Sequence, residues 1–129
     1  MEEKIREMEN RFGGRLIATK RVKRLICSTL LIFPEKIINL VTKQVWFVSS
    51  FDDAWGFTIK GEEIRDKYLV FLSDELFEQD TAQQRYTIAH EVGHVVLKHR
   101  NAILEHQTQA EIDRQERQAH EFARSYLDN

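Results

Sequence analysis

The sequence predicts an α+β domain. Helical spacing of apolar residues runs through most of residues 1–44, three short β-rich stretches fall between 45 and 72, and helical spacing returns after residue 80. Helices first, strands next and helices last is the order that gives a small sheet with helices packed around it.

Residues 1–12 read as a polar helix stopped by Gly13-Gly14. Residues 15–32 carry Leu16, Ile17, Val22, Leu25, Ile26 and Leu30 at spacings that suit an amphipathic helix. Pro34 can open another, because its missing N–H costs nothing in a first turn, and Ile37, Ile38 and Val41 would then point inward. The period changes at Val45-Trp46-Phe47-Val48, and Trp55–Ile59 and Tyr68–Leu72 repeat the β-rich character. Asp52-Asp53 and Lys60-Gly61-Glu62-Glu63 supply turns between these three strands. Thr81 with Gln84 forms a capping box for a helix running to about His99. A last helix of about 20 residues ends near Leu127.

The chain of 129 residues is expected to form a single domain over residues 1–129. Its 42% hydrophobic and 31% charged content is ordinary for a globular protein. A formal charge of −2 excludes a nucleic-acid binder held by a broad basic field, and the run Lys20, Arg21, Lys23, Arg24 reads as a solvated helix face. Cys27 lies in an apolar stretch and reads as a buried structural thiol. The charged start MEEKIREMENR does not fit a signal peptide. The longest apolar run, LICSTLLIF, is far short of the roughly 20 residues a membrane span needs. The expectation is a cytoplasmic protein without a membrane span.

The chemistry is concentrated in RYTIAHEVGHVVLKH, an HExxH motif. His90 and His94 stand four apart on a helix, so both imidazoles project from one side, one turn apart, and can reach a single zinc ion. Glu91 is rotated by about 100°, awkward for a third ligand but well placed to act on a water beside the metal. Ile88, Ala89, Val92, Gly93, Val96, Leu97 and Tyr86 share one arc of the helix, with both histidines just beyond its edge. The histidines should therefore line the mouth of a cleft. Gly93 costs about 1 kcal/mol against alanine in a helix interior, which makes sense where another backbone or the metal site comes close.

A catalytic zinc commonly has three protein ligands. No HExxHxxGxxH extension is present, so the third must come from the last helix, whose acidic candidates are Glu111, Asp113, Glu116 and Glu121. Glu116 alone falls on the stripe of Ile112, Ala119, Ala123, Tyr126 and Leu127, about 40° from Ile112. A carboxylate there is costly unless paired or bound to metal, which makes Glu116 the expected ligand. His120, one turn on, suits either a supporting hydrogen bond or ligation itself. His99 and His106 fall outside both patterns and are expected to be solvated.

With these residues in view, RYTIAHEVGHVVLKH at 85–99 and ERQAHEFA at 116–123 resemble the ImmA/IrrE-type gluzincins, which carry an RFTLAHELGH-like helix and a later ExxANxFA-like helix. The short chain, expected to carry no appended domain, also resembles the minimal soluble gluzincins, or minigluzincins. The resemblance spans roughly residues 45–127. It implies a zincin-like fold and a zinc metallopeptidase, with His90, His94 and Glu116 holding Zn2+ and Glu91 as general base toward a metal-activated water. His120 departs from the family asparagine, and the apolar-Pro continuation after the second motif is missing.

A peptide or protein substrate is expected to pair along Tyr68–Leu72 as an edge strand. Oxyanion support is assigned to His120 or Tyr126. The alternatives are a zinc-bearing regulatory binding module and a latent peptidase whose Tyr126–Asn129 segment folds back into its own cleft. Expected assembly is a monomer or small homo-oligomer.

Overall fold

A computed structural model describes residues 2–49, 67–72, 76, 78–98 and 108–128. Among them the fold is α+β, with five helices and a three-stranded parallel sheet. The chain order is α1 (Glu2–Arg11), β1 (Leu16–Ile17), α2 (Lys20–Leu30), α3 (Glu35–Gln44), β2 (Val45–Ser49), β3 (Tyr68–Leu72), α4 (Thr81–Val96) and α5 (Gln109–Leu127).

The first expectation to be corrected is the helix over 15–32. Gly13 and Gly14 take positive φ values of 57° and 94°, which reverse the chain after α1. Leu16 and Ile17 then run extended beside Phe47 and Val48, with the Phe47 N–H donating to the Arg15 carbonyl. Helix α2 begins only after Thr19, whose hydroxyl accepts from the Val22 N–H. A two-residue strand is too short to impose a period of two on the sequence, so its apolar pair merged with the helical pattern that follows.

Strand β2 is the middle strand, in the order β1-β2-β3, and pairs parallel with β3 from Val45↔Tyr68 to Ser49↔Leu72. All five of its residues are buried. An unbroken apolar run, without in-out alternation, is what a parallel strand covered on both faces requires. The expected strand Trp55–Ile59, the turns around it, and His99 and His106 lie outside the described residues.

The core joins the sheet to every helix. Phe12 meets Phe47 edge-on at 5.9 Å, and Ile26, Leu30, Val41, Ile88 and Val92 are almost fully buried around them. Ile37, Ile38 and Val41 point inward from α3 as expected, with Pro34 at its N-cap position. The buried hydroxyls of Thr29 and Thr42 donate to the Leu25 and Ile38 carbonyls one turn back, at 2.8 and 2.9 Å, so neither leaves a polar group unpaired there.

Among the described residues, helices α4 and α5 pack more extensively on each other than any other pair of elements. At the start of α4 the cap is Asp80, not Thr81: the Asp80 Oδ1 accepts from the Gln83 N–H at 2.8 Å. Gln84 is buried and donates from Nε2 to the Leu76 and Gln79 carbonyls, which anchors the helix to the preceding turn. The helix ends at Val96, short of the expected His99, because Lys98 turns left-handed at φ 57°.

Candidate metal centre

The α4 histidines emerge at the edge of a buried face. Ile88, Ala89, Val92, Gly93 and Val95 are buried, while the side chains of His90 and His94 retain 17% and 21% exposure. That is the cleft-edge placement the helical arc predicts. Their rings lie 4.7 Å apart and perpendicular, so two imidazoles one turn apart face the same space.

Gly93 explains how a second helix reaches them. A Cβ built on Gly93 would lie 3.0 Å from Phe122 Cδ1 and 3.3 Å from both Cα and O of Ala119. The small residues Gly93, Ala119 and Ala123, all buried, thus allow α5 to run close against α4. Thr108 caps α5, its hydroxyl accepting from the Glu111 N–H at 3.1 Å and donating to Glu111 Oε1 at 3.2 Å.

On this close approach Glu116 is delivered between the histidines. One carboxylate oxygen stands 3.0 Å from His90 Nε2 and the other 3.1 Å from His94 Nε2. One ligand atom from each of the three residues falls within 4.8 Å of the others. Two imidazole nitrogens and a carboxylate are a donor set suited to zinc, and the three groups already face a common point. The remaining acidic candidates are committed elsewhere or stand apart: Glu111 closes the α5 cap, Asp113 accepts from Gln109 Nε2 at 2.9 Å, and Glu121 is exposed.

The expected depth of Glu116 needs correction. Its side chain is 55% exposed, so the carboxylate stands at the open end of the α4–α5 seam. The truly buried part of the stripe is Ala119 and Ala123, with Ile112, Tyr126 and Leu127 only half-buried. A helical wheel gives the direction of a side chain but not its depth, and depth here is set by where the helices meet.

Glu91 is 35% exposed and lies outside the converging set. Its Oε1 is 3.9 Å from His90 Nδ1, the ring nitrogen opposite the one that meets Glu116. At that distance it acts more as a neighbouring charge than as a good hydrogen-bond acceptor. The Glu91 carboxylate first, and Glu116 after it, hold the His90 imidazole above its ordinary range, against the opposing effect of burial.

His120 points elsewhere than the converging set. Its Nδ1 is 2.7 Å from the Tyr86 hydroxyl, and the Tyr86 ring lies 5.7 Å from that of His90. Tyr86 is the site residue that sequence reasoning missed, because its position on the apolar arc marked it as core. Tyr126 packs with Phe33 and Phe122, at ring distances of 4.9 and 5.1 Å, ten residues or about 15 Å along the helix from Glu116. The oxyanion role assigned to it is therefore withdrawn. Of the segment expected to fold back, Tyr126 and Leu127 complete α5 and the Asp128 N–H bonds the Arg124 carbonyl, while Asn129 lies outside the described residues.

An HExxH helix whose histidines meet a glutamate from the following helix defines a metallopeptidase-type centre. The chain belongs to the family of the IrrE N-terminal-like domain, a peptidase family whose model matches residues 52–127. No curated protein and no solved structure matches it. No helix among the described residues is long and apolar enough to cross a membrane.

Proposed function

We propose that the protein is a zinc-dependent metallopeptidase that hydrolyses peptide bonds, with His90, His94 and Glu116 holding the metal and Glu91 as general base. The observation that carries this reading is the meeting of both Nε2 atoms with the two oxygens of Glu116 at 3.0 and 3.1 Å. Family membership supports it independently.

A zinc ion held by this set supplies Lewis acidity toward a carbonyl oxygen and toward water. Glu91 follows His90 directly on α4, so its carboxylate reaches the same region without entering the ligand set. It takes a proton from water as the water oxygen bonds to the carbonyl carbon. It then delivers that proton to the amide nitrogen as the C–N bond breaks, which balances the reaction and restores the carboxylate. β3, one of the two outer strands among the described residues, offers an edge along which a substrate backbone pairs.

The test is Glu91→Gln, which preserves shape and removes the base. The variant should bind zinc as the wild type does and lose peptide cleavage by at least about 100-fold, the lower end of what a general base contributes. Undiminished cleavage by a zinc-loaded Glu91→Gln protein contradicts the role. A regulatory binding module of the same fold would tolerate this change in every assay.

A further inference from the structure

Tyr86, His90 and His94 form a single row along α4, each one turn from the next. Glu116, His120 and Arg124 form a matching row along α5. The rows face each other in opposite directions. Glu116 meets His90 and His94, while His120 and Arg124 meet Tyr86. The Tyr86 ring is thereby held on three sides. It lies against the His90 ring at 5.7 Å, edge-on to His120 at 5.6 Å, and beneath the Arg124 guanidinium at 4.9 Å.

We propose that the Tyr86 hydroxyl donates a hydrogen bond to the substrate carbonyl oxygen as negative charge develops on it, and that His120 orients that hydroxyl. The proposal rests on the peptidase reading above for the identity of the reacting group. A phenol has one proton to give and two lone pairs. The hydroxyl lies 2.7 Å from His120 Nδ1. With the His120 proton on Nδ1, the tautomer this proposal requires, the hydroxyl accepts from Nδ1–H and keeps its own proton for the substrate. Arg124 over the ring face draws electron density from the phenol and makes it a better donor. Tyr86 is only half-buried and His120 is exposed, so their bond contributes modestly to folding, while the Tyr86 ring lies one turn before His90 and 5.7 Å from its ring, beside the ligand set. His120 is a positioning residue here, acting through Tyr86.

The experiment compares wild type, Tyr86→Phe, His120→Ala and His120→Asn, the last keeping an N–H donor. In the metal-free protein, nitrogen-15 NMR of the His120 ring should show the proton on Nδ1 in wild type, and the Nδ1-protonated form should fall sharply in Tyr86→Phe. With zinc loaded equally in all four, a phosphonamidate dipeptide that mimics the tetrahedral anion should bind Tyr86→Phe about 100-fold more weakly than wild type, the lower end of what one such donor contributes. His120→Ala should lose part of that affinity and His120→Asn should recover most of it. On a cleaved peptide the loss should fall on kcat rather than KM.

Equal phosphonamidate affinity in wild type and Tyr86→Phe overturns the proposal, as does a His120 ring whose tautomer ignores Tyr86. If wild type binds the phosphonamidate in this Tyr86-dependent way yet cleaves no peptide, the peptidase reading fails and the donor assignment stands. If peptides are cleaved equally by wild type and Tyr86→Phe, the reverse holds.

Discussion

The seam at Gly93 sets the distance between the two helices that carry the centre, and its substitution gives a result that can be worked from the structure. Placing a methyl on Gly93 brings it to 3.0 Å from Phe122 Cδ1 and 3.3 Å from Ala119 Cα and O. The Ala119 atoms are backbone and cannot rotate away. The Phe122 ring is stacked on Phe33 at 5.7 Å and tilted on Tyr126 at 5.1 Å, so it yields only by disturbing both. Overpacking of this kind costs about 1–3 kcal/mol, against about 1 kcal/mol gained from the better helix propensity of alanine. Gly93→Ala should therefore lie between neutral and about 2 kcal/mol destabilised. Gly93→Val, with two further methyl groups, should be worse. Because Glu116 lies one turn before Ala119 on the displaced helix, both variants should lose zinc affinity out of proportion to their stability, valine more than alanine. Urea denaturation of the metal-free proteins gives the first quantity and chelator competition the second. A Gly93→Ala protein stabilised by the full ~1 kcal/mol, together with unchanged zinc affinity in Gly93→Val, would refute the claim that close packing at Gly93 positions the ligands.

Asp80→Ala should cost about 1 kcal/mol in urea denaturation because it removes the cap of α4, whereas Thr81→Ala should cost clearly less; equal losses would mean that Asp80 is not the dominant cap. Cys27 is fully buried, and burial, with Glu9 adding to it, pushes its thiol up to about 12. At pH 8 only about 1 in 10,000 folded molecules then carries the thiolate, so a chromogenic disulfide reagent should modify Cys27 no faster than the protein unfolds. A raised acid pKa stabilises the folded state fully below the ordinary thiol value near 9 and loses that contribution as pH rises through about 12, so stability should decline over that interval more steeply in wild type than in Cys27→Ala. Rapid labelling of native protein would contradict the burial.

The long periodic elements were legible in the sequence for a physical reason: a helix with one buried face must repeat its apolar residues every three to four positions. That rule located α4, put His90 and His94 at the edge of its buried face, and singled out Glu116 among the acids of α5. Family membership of residues 52–127 agrees with the resemblance seen in the same two motifs. The failures are equally physical. Leu16–Ile17 is too short a strand for any period to show, and only the Gly13-Gly14 turn and the capping Thr19 mark where the helix cannot begin. Asp80 and Thr81 are both good caps, and the hydrogen bond that decides between them is a matter of backbone placement. The contact of Tyr86 with His120 joins residues 34 apart on separate helices, which no periodicity encodes. The available signal was the pair of rows with four-residue spacing, Tyr86-His90-His94 and Glu116-His120-Arg124.

The central claim is that His90, His94 and Glu116 form one metal centre and that His120 lies outside its ligand set. Zinc content, measured by mass spectrometry after loading and exhaustive dialysis, tests this directly in wild type, Glu116→Gln and His120→Asn. Wild type and His120→Asn should each retain a single equivalent, while Glu116→Gln should lose it although remaining folded by circular dichroism. Full zinc in Glu116→Gln together with its loss in His120→Asn would show that the third ligand has been assigned to the wrong residue.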